Sequence, residues 1–229
     1  MNKKCNETAL LIGWAGNIFP AVKVLLEEKG MDVIHINGDA LNHLDALHAA
    51  PFQDGRMIRY AVYSALLDRG MFPSRITDMS VEDWKAWKQR VYQRLFDVNR
   101  YLVRKMLGMW GSRFLIVGSI SGVIPSNGEE VSGAASASAF MIMKSMATEL
   151  AASGLTASAI ALGVLQEDAG VVTLGNTEAV RRHIPAGRPI SVREAAQGIV
   201  RQLMENDCLC NGNVSLMDSG FACSYMRDW

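Results

Sequence analysis

Short apolar runs that end in glycine or another small residue alternate with helical stretches along this chain, and that alternation limits the fold more than any other feature. Ala9-Leu-Leu-Ile-Gly13 reads as a buried strand, Ile18–Glu28 has helical periodicity stopped by Lys29-Gly30, and Asp32-Val-Ile-His-Ile36 reads as a second strand closed by Asn37-Gly38. A strand with no polar face belongs in a sheet covered on both sides, and a helix between two such strands is the crossover of a parallel pair. The pattern continues with a strand over Met57–Tyr63, a long helix over Ser80–Met106 and a strand that starts at Phe114 and ends in a small-residue turn by Gly122. A helix over Ser132–Ala151, a strand over Thr156–Leu162, a loop over Gly163–Asn176, a helix over Ser191–Met204 and a last strand over Val214–Met217 follow. The expected fold is α/β, one doubly wound, Rossmann-like parallel sheet in a single domain over residues 1–229. After the second strand the chain offers only a short helical pattern, Leu41–Ala49, before Pro51, so the sheet is expected to be truncated there.

Helix boundaries carry their own signals. Ser191 with Glu194 three residues on is a capping box, and Ser80 with Asp83 is a weaker version. Trp84, Trp87, Val91, Leu95, Val98, Leu102 and Met106 recur at three- and four-residue steps and make one broad apolar stripe. In the segment 134–151, Phe140, Met141, Ile142, Met143, Met146 and Leu150 cannot all face one sheet, so this helix is expected to be buried on two sides. That points to subunit pairing through helices at about 81–107 and 134–151.

Charge and cysteine usage exclude several functions. Lys+Arg and Asp+Glu are equal at 23 each, so no overall field favours nucleic acid or an anionic membrane. No apolar stretch approaches a membrane span, and Met1–Cys5 is too polar to open a signal peptide, so a cytoplasmic protein is expected. Cys5, Cys208, Cys210 and Cys223 do not have zinc spacing, and His35, His43, His48 and His183 form no ligand pattern; no metal is expected.

Phe114-Leu-Ile-Val-Gly-Ser119-Ile-Ser-Gly122 followed by the helix SGAASASAFMIMKSMATELA resembles the active-site stretch of the short-chain dehydrogenase/reductase family. There a strand ends in a catalytic Ser, and Tyr-x-x-x-Lys opens the next helix. Ser119 matches the Ser. The family's spacing, checked against Lys144-Ser-Met-Ala147, puts Ser132 at the Tyr position and Ser136 at the Lys position. The tail Gly212-Asn-Val-Ser-Leu-Met-Asp-Ser-Gly220, the loop His183–Pro189 and Glu194-Ala-Ala196 make the chain most similar to the 3-oxoacyl-carrier-protein reductase branch. The family's helix Asn falls at Tyr92, or at Asn99 two turns on.

The resemblance implies NAD(P)H as cofactor and places Gly13, Gly16, Ile18, Asn37 and Gly163 around it. The motifs depart from the family's at most of these points. Its turn reads Thr-Gly-x-x-x-Gly-x-Gly, whereas here Ile12-Gly13-Trp14-Ala15-Gly16-Asn17-Ile18-Phe19 keeps only the first glycine in place. Those glycines let pyrophosphate reach backbone N–H groups at a helix N-terminus. Asn37 stands where an acidic residue would hold the ribose, Val62-Tyr63-Ser64-Ala65 replaces Asn-Asn-Ala-Gly, and Leu162-Gly163 replaces Pro-Gly. Serine hydroxyls can hydrogen-bond an oxyanion but cannot be tuned into the tyrosine's acid role. Gly118–Gly122 centres Ile120 rather than a serine, so it is no nucleophile elbow.

Three functions follow. The chain is a non-reducing member kept for interaction, paired with itself or with an intact reductase in fatty-acid or polyketide-type synthesis. Alternatively it is a ketoreductase that draws on an unconventional acid such as Tyr92 or Tyr63. The third is a non-redox isomerase, dehydratase or cyclase that holds an oxyanion with Ser119 and Ser132.

Overall fold

Six parallel strands form one sheet in the computed structural model, which describes residues 7–38, 58–66, 76–126, 128–169, 178–205 and 210–225. They are β1 (Thr8–Gly13), β2 (Asp32–Asn37), β3 (Ile58–Ser64), β4 (Arg113–Ser119), β5 (Thr156–Leu162) and β6 (Val214–Met217), in the order β2-β1-β3-β4-β5-β6. The helices are α1 (Ile18–Glu28), α2 (Val81–Met106), α3 (Glu130–Leu150), α4 (Glu178–Arg181), α5 (Val192–Glu205) and α6 (Phe221–Tyr225). The doubly wound α/β expectation holds. The short pattern Leu41–Ala49 with Pro51, the histidines His43 and His48, Cys5 and Cys208 lie outside the described residues.

The apolar runs are buried because strand alternation splits them between two layers. Leu10, Ile12, Ala61, Tyr63, Phe114 and Ile116 face the layer of α2 and α3. Ala9, Leu11, Val62, Leu115 and Val117 face the layer of α1 and α5. The edge strands β2 and β6 are more exposed than the central four. β1 has β2 on one side and β3 on the other, so the chain changes winding direction there and opens a crevice at the carboxyl ends of the strands. Gly13, Ser64 and Ser119 all lie at that edge.

The caps hold as the sequence predicts. Ser191 Oγ accepts from Glu194 N–H at 3.3 Å while the Glu194 carboxylate accepts from Ser191 N–H at 3.0 Å. Ser80 Oγ accepts from Asp83 N–H at 3.0 Å and donates to the Asp83 carboxylate at 2.7 Å. α3 starts at Glu130, two residues ahead of the expected start, with Glu129 as its N-cap.

The all-round apolar character of α3 is absorbed largely within the chain. Phe140, Met143 and Met146 are buried, Ile142 and Leu150 pack partly against the same core, and of the six residues Met141 is the exposed one. The larger exposed apolar set runs along α2: Val81, Trp84, Tyr92 and Phe96, with Trp84 stacked on the buried Trp87 at 4.7 Å.

Candidate active site at the ends of the first and fourth strands

β4 and α3 bring the serines together. Ser119 Oγ accepts from Ser121 N–H at 3.2 Å, which closes the turn after β4, and from Ser121 Oγ at 2.7 Å. Ser121 Oγ lies 3.0 Å from Ser132 Oγ, and Ser132 Oγ donates to Glu129 Oε2 at 2.7 Å. The result is a continuous run, Ser119–Ser121–Ser132–Glu129, that starts buried and becomes half-exposed. Ser136 does something else. It is 1% exposed, and its Oγ accepts the Ser119 N–H at 2.9 Å, tying α3 to the end of β4. The close approach is possible because residues 118 and 122 are glycines: a Cβ on Gly122 would lie 2.6 Å from that of Ser136.

The other half of the crevice is the β1–α1 turn. Gly13 has φ +108°, and a Cβ there would lie 2.7 Å from Ser64 O. Gly16 also has positive φ, at 50°. Asn17, at the N-cap, makes no side-chain cap; its N–H donates to Ala169 O at 2.8 Å. Ala15, Ile18, Phe19 and Ala169 are buried together with Leu165 and Ile190 in the α1–α5 core. The segment after β5 is thus seated on the start of α1. Trp14 O accepts from Ser64 Oγ at 2.5 Å, and Trp14 Nε1 is buried with no partner among the described residues.

The remaining candidates are dispersed. Asn37 uses its side chain to accept the N–H of Gly38 at 2.6 Å. Gly163 is required by packing, since a Cβ would meet Asp218 Cα at 2.6 Å. Tyr92 is not brought to the serines: it lies on the exposed side of α2, edge-on to Trp87 at 5.7 Å, because Val91, Arg94 and Leu95 take the inward positions. Asn99 is buried, its Nδ2 donating to Leu95 O at 2.6 Å and its Oδ1 without a partner among the described residues. Tyr63 is buried on β3, and that burial pushes its phenol up to about 12 against the smaller opposing effect of the Arg94 cation. An acid that weak is a poor proton donor near neutral pH.

Glu129 and Ala169 are candidate site residues that the sequence did not single out. Glu129 had one available signal, its three-residue spacing to Ser132 at a helix start. Ala169 had none, because it meets Asn17 through a contact between segments far apart in sequence. Among the described residues, no group of three His, Cys, Asp or Glu side chains is placed to hold a metal, and no helix is long and apolar enough to cross a membrane.

Known proteins match both the sequence and this architecture. The 3-oxoacyl-[acyl-carrier-protein] reductase FabG of Haemophilus influenzae is 24% identical over 180 residues, 78% of this chain and 73% of that protein. FabG of Vibrio cholerae is 29% identical over 124 residues, 53% of this chain, so the match spans about half the length of that relative (50%). The crystal structure of BdcA in complex with NADPH superposes with a TM-score of 0.72 at 16% identity, covering 94% of each chain. Residues 16–222 match the family described as Enoyl-(acyl carrier protein) reductase. With that match over most of its length, the chain belongs to the short-chain dehydrogenase/reductase family.

Proposed function

We propose that this protein is a non-reducing member of the family that serves as a partner subunit in 3-oxoacyl chemistry, paired with itself or with an intact reductase. The observation that carries the reading is the bond from Asn17 N–H to Ala169 O, with Phe19 sunk in the core beside it. The family's cofactor needs that helix start bare, with free N–H groups for pyrophosphate. Here the Ala169 carbonyl accepts the Asn17 N–H and Phe19 stands where the family has a glycine, which supports the reading that these residues do not fit the dinucleotide. The proton-transfer pair is missing in parallel: Ser132 stands for Tyr, and Ser136 is committed to Ser119. Neither Tyr63 nor Tyr92 replaces them. The exposed row Val81, Trp84, Tyr92 and Phe96 on α2, with Met141 on α3, supports pairing through these two helices.

Titration of the purified protein with NADPH and NADH, followed by quenching of tryptophan fluorescence, tests this. No binding at millimolar cofactor is expected. Saturation in the micromolar range, about −8 kcal/mol, overturns the reading. Light scattering of the protein alone and mixed with an intact 3-oxoacyl reductase tests the pairing.

One observation favours a second reading, an NAD(P)H-dependent ketoreductase with an atypical site. Trp14 Nε1 is a buried donor without a partner among the described residues, next to two positive-φ glycines that keep part of the family's turn. The same titration decides between the two.

A further inference from the structure

The serine run ends on a carboxyl, and that changes what it can do. A row of hydroxyls alone has no group that takes or releases a proton at working pH. A carboxyl supplies one, and environment tunes such groups between acid and base roles. Two proton arrangements share the observed oxygen positions. With Glu129 ionised, Ser132 donates to it at 2.7 Å and Ser121 donates to Ser119 at 2.7 Å or turns toward Ser132 at 3.0 Å. With Glu129 protonated, each hydroxyl donates one step toward Ser119. The oxygens need not move between the two states. Ser121 and Ser132 are half-buried, so a ligand can reach the middle of the run while Ser119 anchors its inner end.

We infer that Glu129, through the Ser132 and Ser121 hydroxyls, is the proton donor and acceptor of a site for an enolisable carbonyl ligand. The 3-oxoacyl class of that ligand rests on the reading proposed above. An enol whose hydroxyl sits on Ser121 gives its O–H proton to Ser121 Oγ. Ser121 passes its own proton to Ser132, and Ser132 passes its own to Glu129 Oε2. The O–H electron pair becomes the C=O bond, and the C=C pair takes a proton from water at carbon. The hydroxide so formed recovers a proton from Glu129. No electrons leave the ligand, and water is the sole co-reactant. Glu129 is a positioning and proton-storing residue; Ser121 touches the ligand.

The test uses the full chain and the N-acetylcysteamine thioester of 2-deuterio-2-methyl-3-oxobutanoic acid in ordinary water, with deuterium loss read by mass spectrometry. The protein is expected to speed the loss at least about tenfold over buffer, a modest part of what positioned acid–base groups supply. Glu129→Gln and Ser132→Ala each remove that acceleration, and the double variant loses no more than either single one. Added acetate restores exchange in Glu129→Ala but not in Ser132→Ala, which a purely structural role does not produce. Ser138→Ala, whose hydroxyl bonds Ala135 O at 2.8 Å outside the run, leaves the rate unchanged. Exchange at the unvaried rate in Glu129→Gln overturns the relay, and so does a rate no faster than buffer in the parent protein. NADPH added to the same mixture separates the two ideas: a 3-hydroxy product sinks the non-reducing reading and leaves the relay to stand or fall on exchange.

Discussion

The two halves of the crevice have been altered in opposite directions. At the β1–α1 turn, family glycines give way to larger residues: Phe19 is fully buried and Asn17 N–H is bonded to Ala169 O. At the β4–α3 end, two large family side chains give way to small ones, and the space holds an ordered polar run from Ser119 to Glu129. On the reading proposed above, the first half has become core and the second has stayed a site, and substitutions in the two halves should be felt in different measurements.

The largest effect is expected in the first half. Phe19→Gly restores the family's residue type at that position, yet it empties a fully buried site in a helix. Losing a buried aromatic costs about 3–5 kcal/mol, and glycine in a helix adds about 1 kcal/mol. Urea denaturation should show the midpoint falling sharply, with no NADPH affinity gained, because Asn17 N–H remains committed. A variant of unchanged stability that binds NADPH would mean that the turn is still a cofactor site.

β3 lies between the two halves and carries Tyr63. Burial holds its phenol near 12, above the ordinary value of about 10, so the folded state keeps the proton more tightly than the unfolded one. That contribution is fully present below pH about 10 and is lost as pH rises through about 12. It amounts to about 3 kcal/mol. Tyr63→Phe should flatten the alkaline stability profile, less than fully since burial also raises Tyr101 to about 12. A profile unchanged by the substitution would show that the phenol reaches solvent and reopen it as an acid.

Much of the fold was legible in the sequence. Ile18–Glu28, Thr156–Leu162 and Val214–Met217 were read with the bounds they have, because apolar period and glycine or capping stops are local signals. That Ser119 ends a strand and that Ser132 and Ser136 lie on the helix after it was legible as well, but their separate hydrogen-bond partners were not. Ser136 looked like one of three equivalent serines until the backbone showed that it accepts Ser119 N–H. The start of α3 was placed late because Asn127-Gly-Glu-Glu130 has the composition of a loop, and this hid Glu129. The Asn17–Ala169 bond joins residues far apart in sequence, and no local pattern encodes such a contact.

Ser136 sharpens the comparison at the next level of effect. Ser136→Ala strands a buried N–H, at a cost of about 1–3 kcal/mol. The pair Ser132→Tyr with Ser136→Lys restores the family's chemistry on paper. It places a lysine where the serine is 1% exposed and takes away the same acceptor. No reductase activity and a lower melting temperature are expected; turnover of NADPH by this pair would show that the β1–α1 turn still opens.

The smallest stability effect, and the sharpest contrast, belongs to Ser132→Ala. Its hydroxyl is half-buried, so water can take over much of what it gives to Glu129 and Ser121. A cost within about 1 kcal/mol is expected, the usual net worth of one hydrogen bond. Residues that hold a fold and residues that hold a site separate on this test: Phe19→Gly should change melting and leave nothing gained in binding, whereas Ser132→Ala should leave melting nearly untouched and abolish deuterium exchange. If Ser132→Ala instead destabilised the protein as much as Ser136→Ala, the serine run would be a structural network like the Ser119–Ser136 bond beside it. Both halves of the crevice would then have become core, and the partner-subunit role would account for the whole molecule.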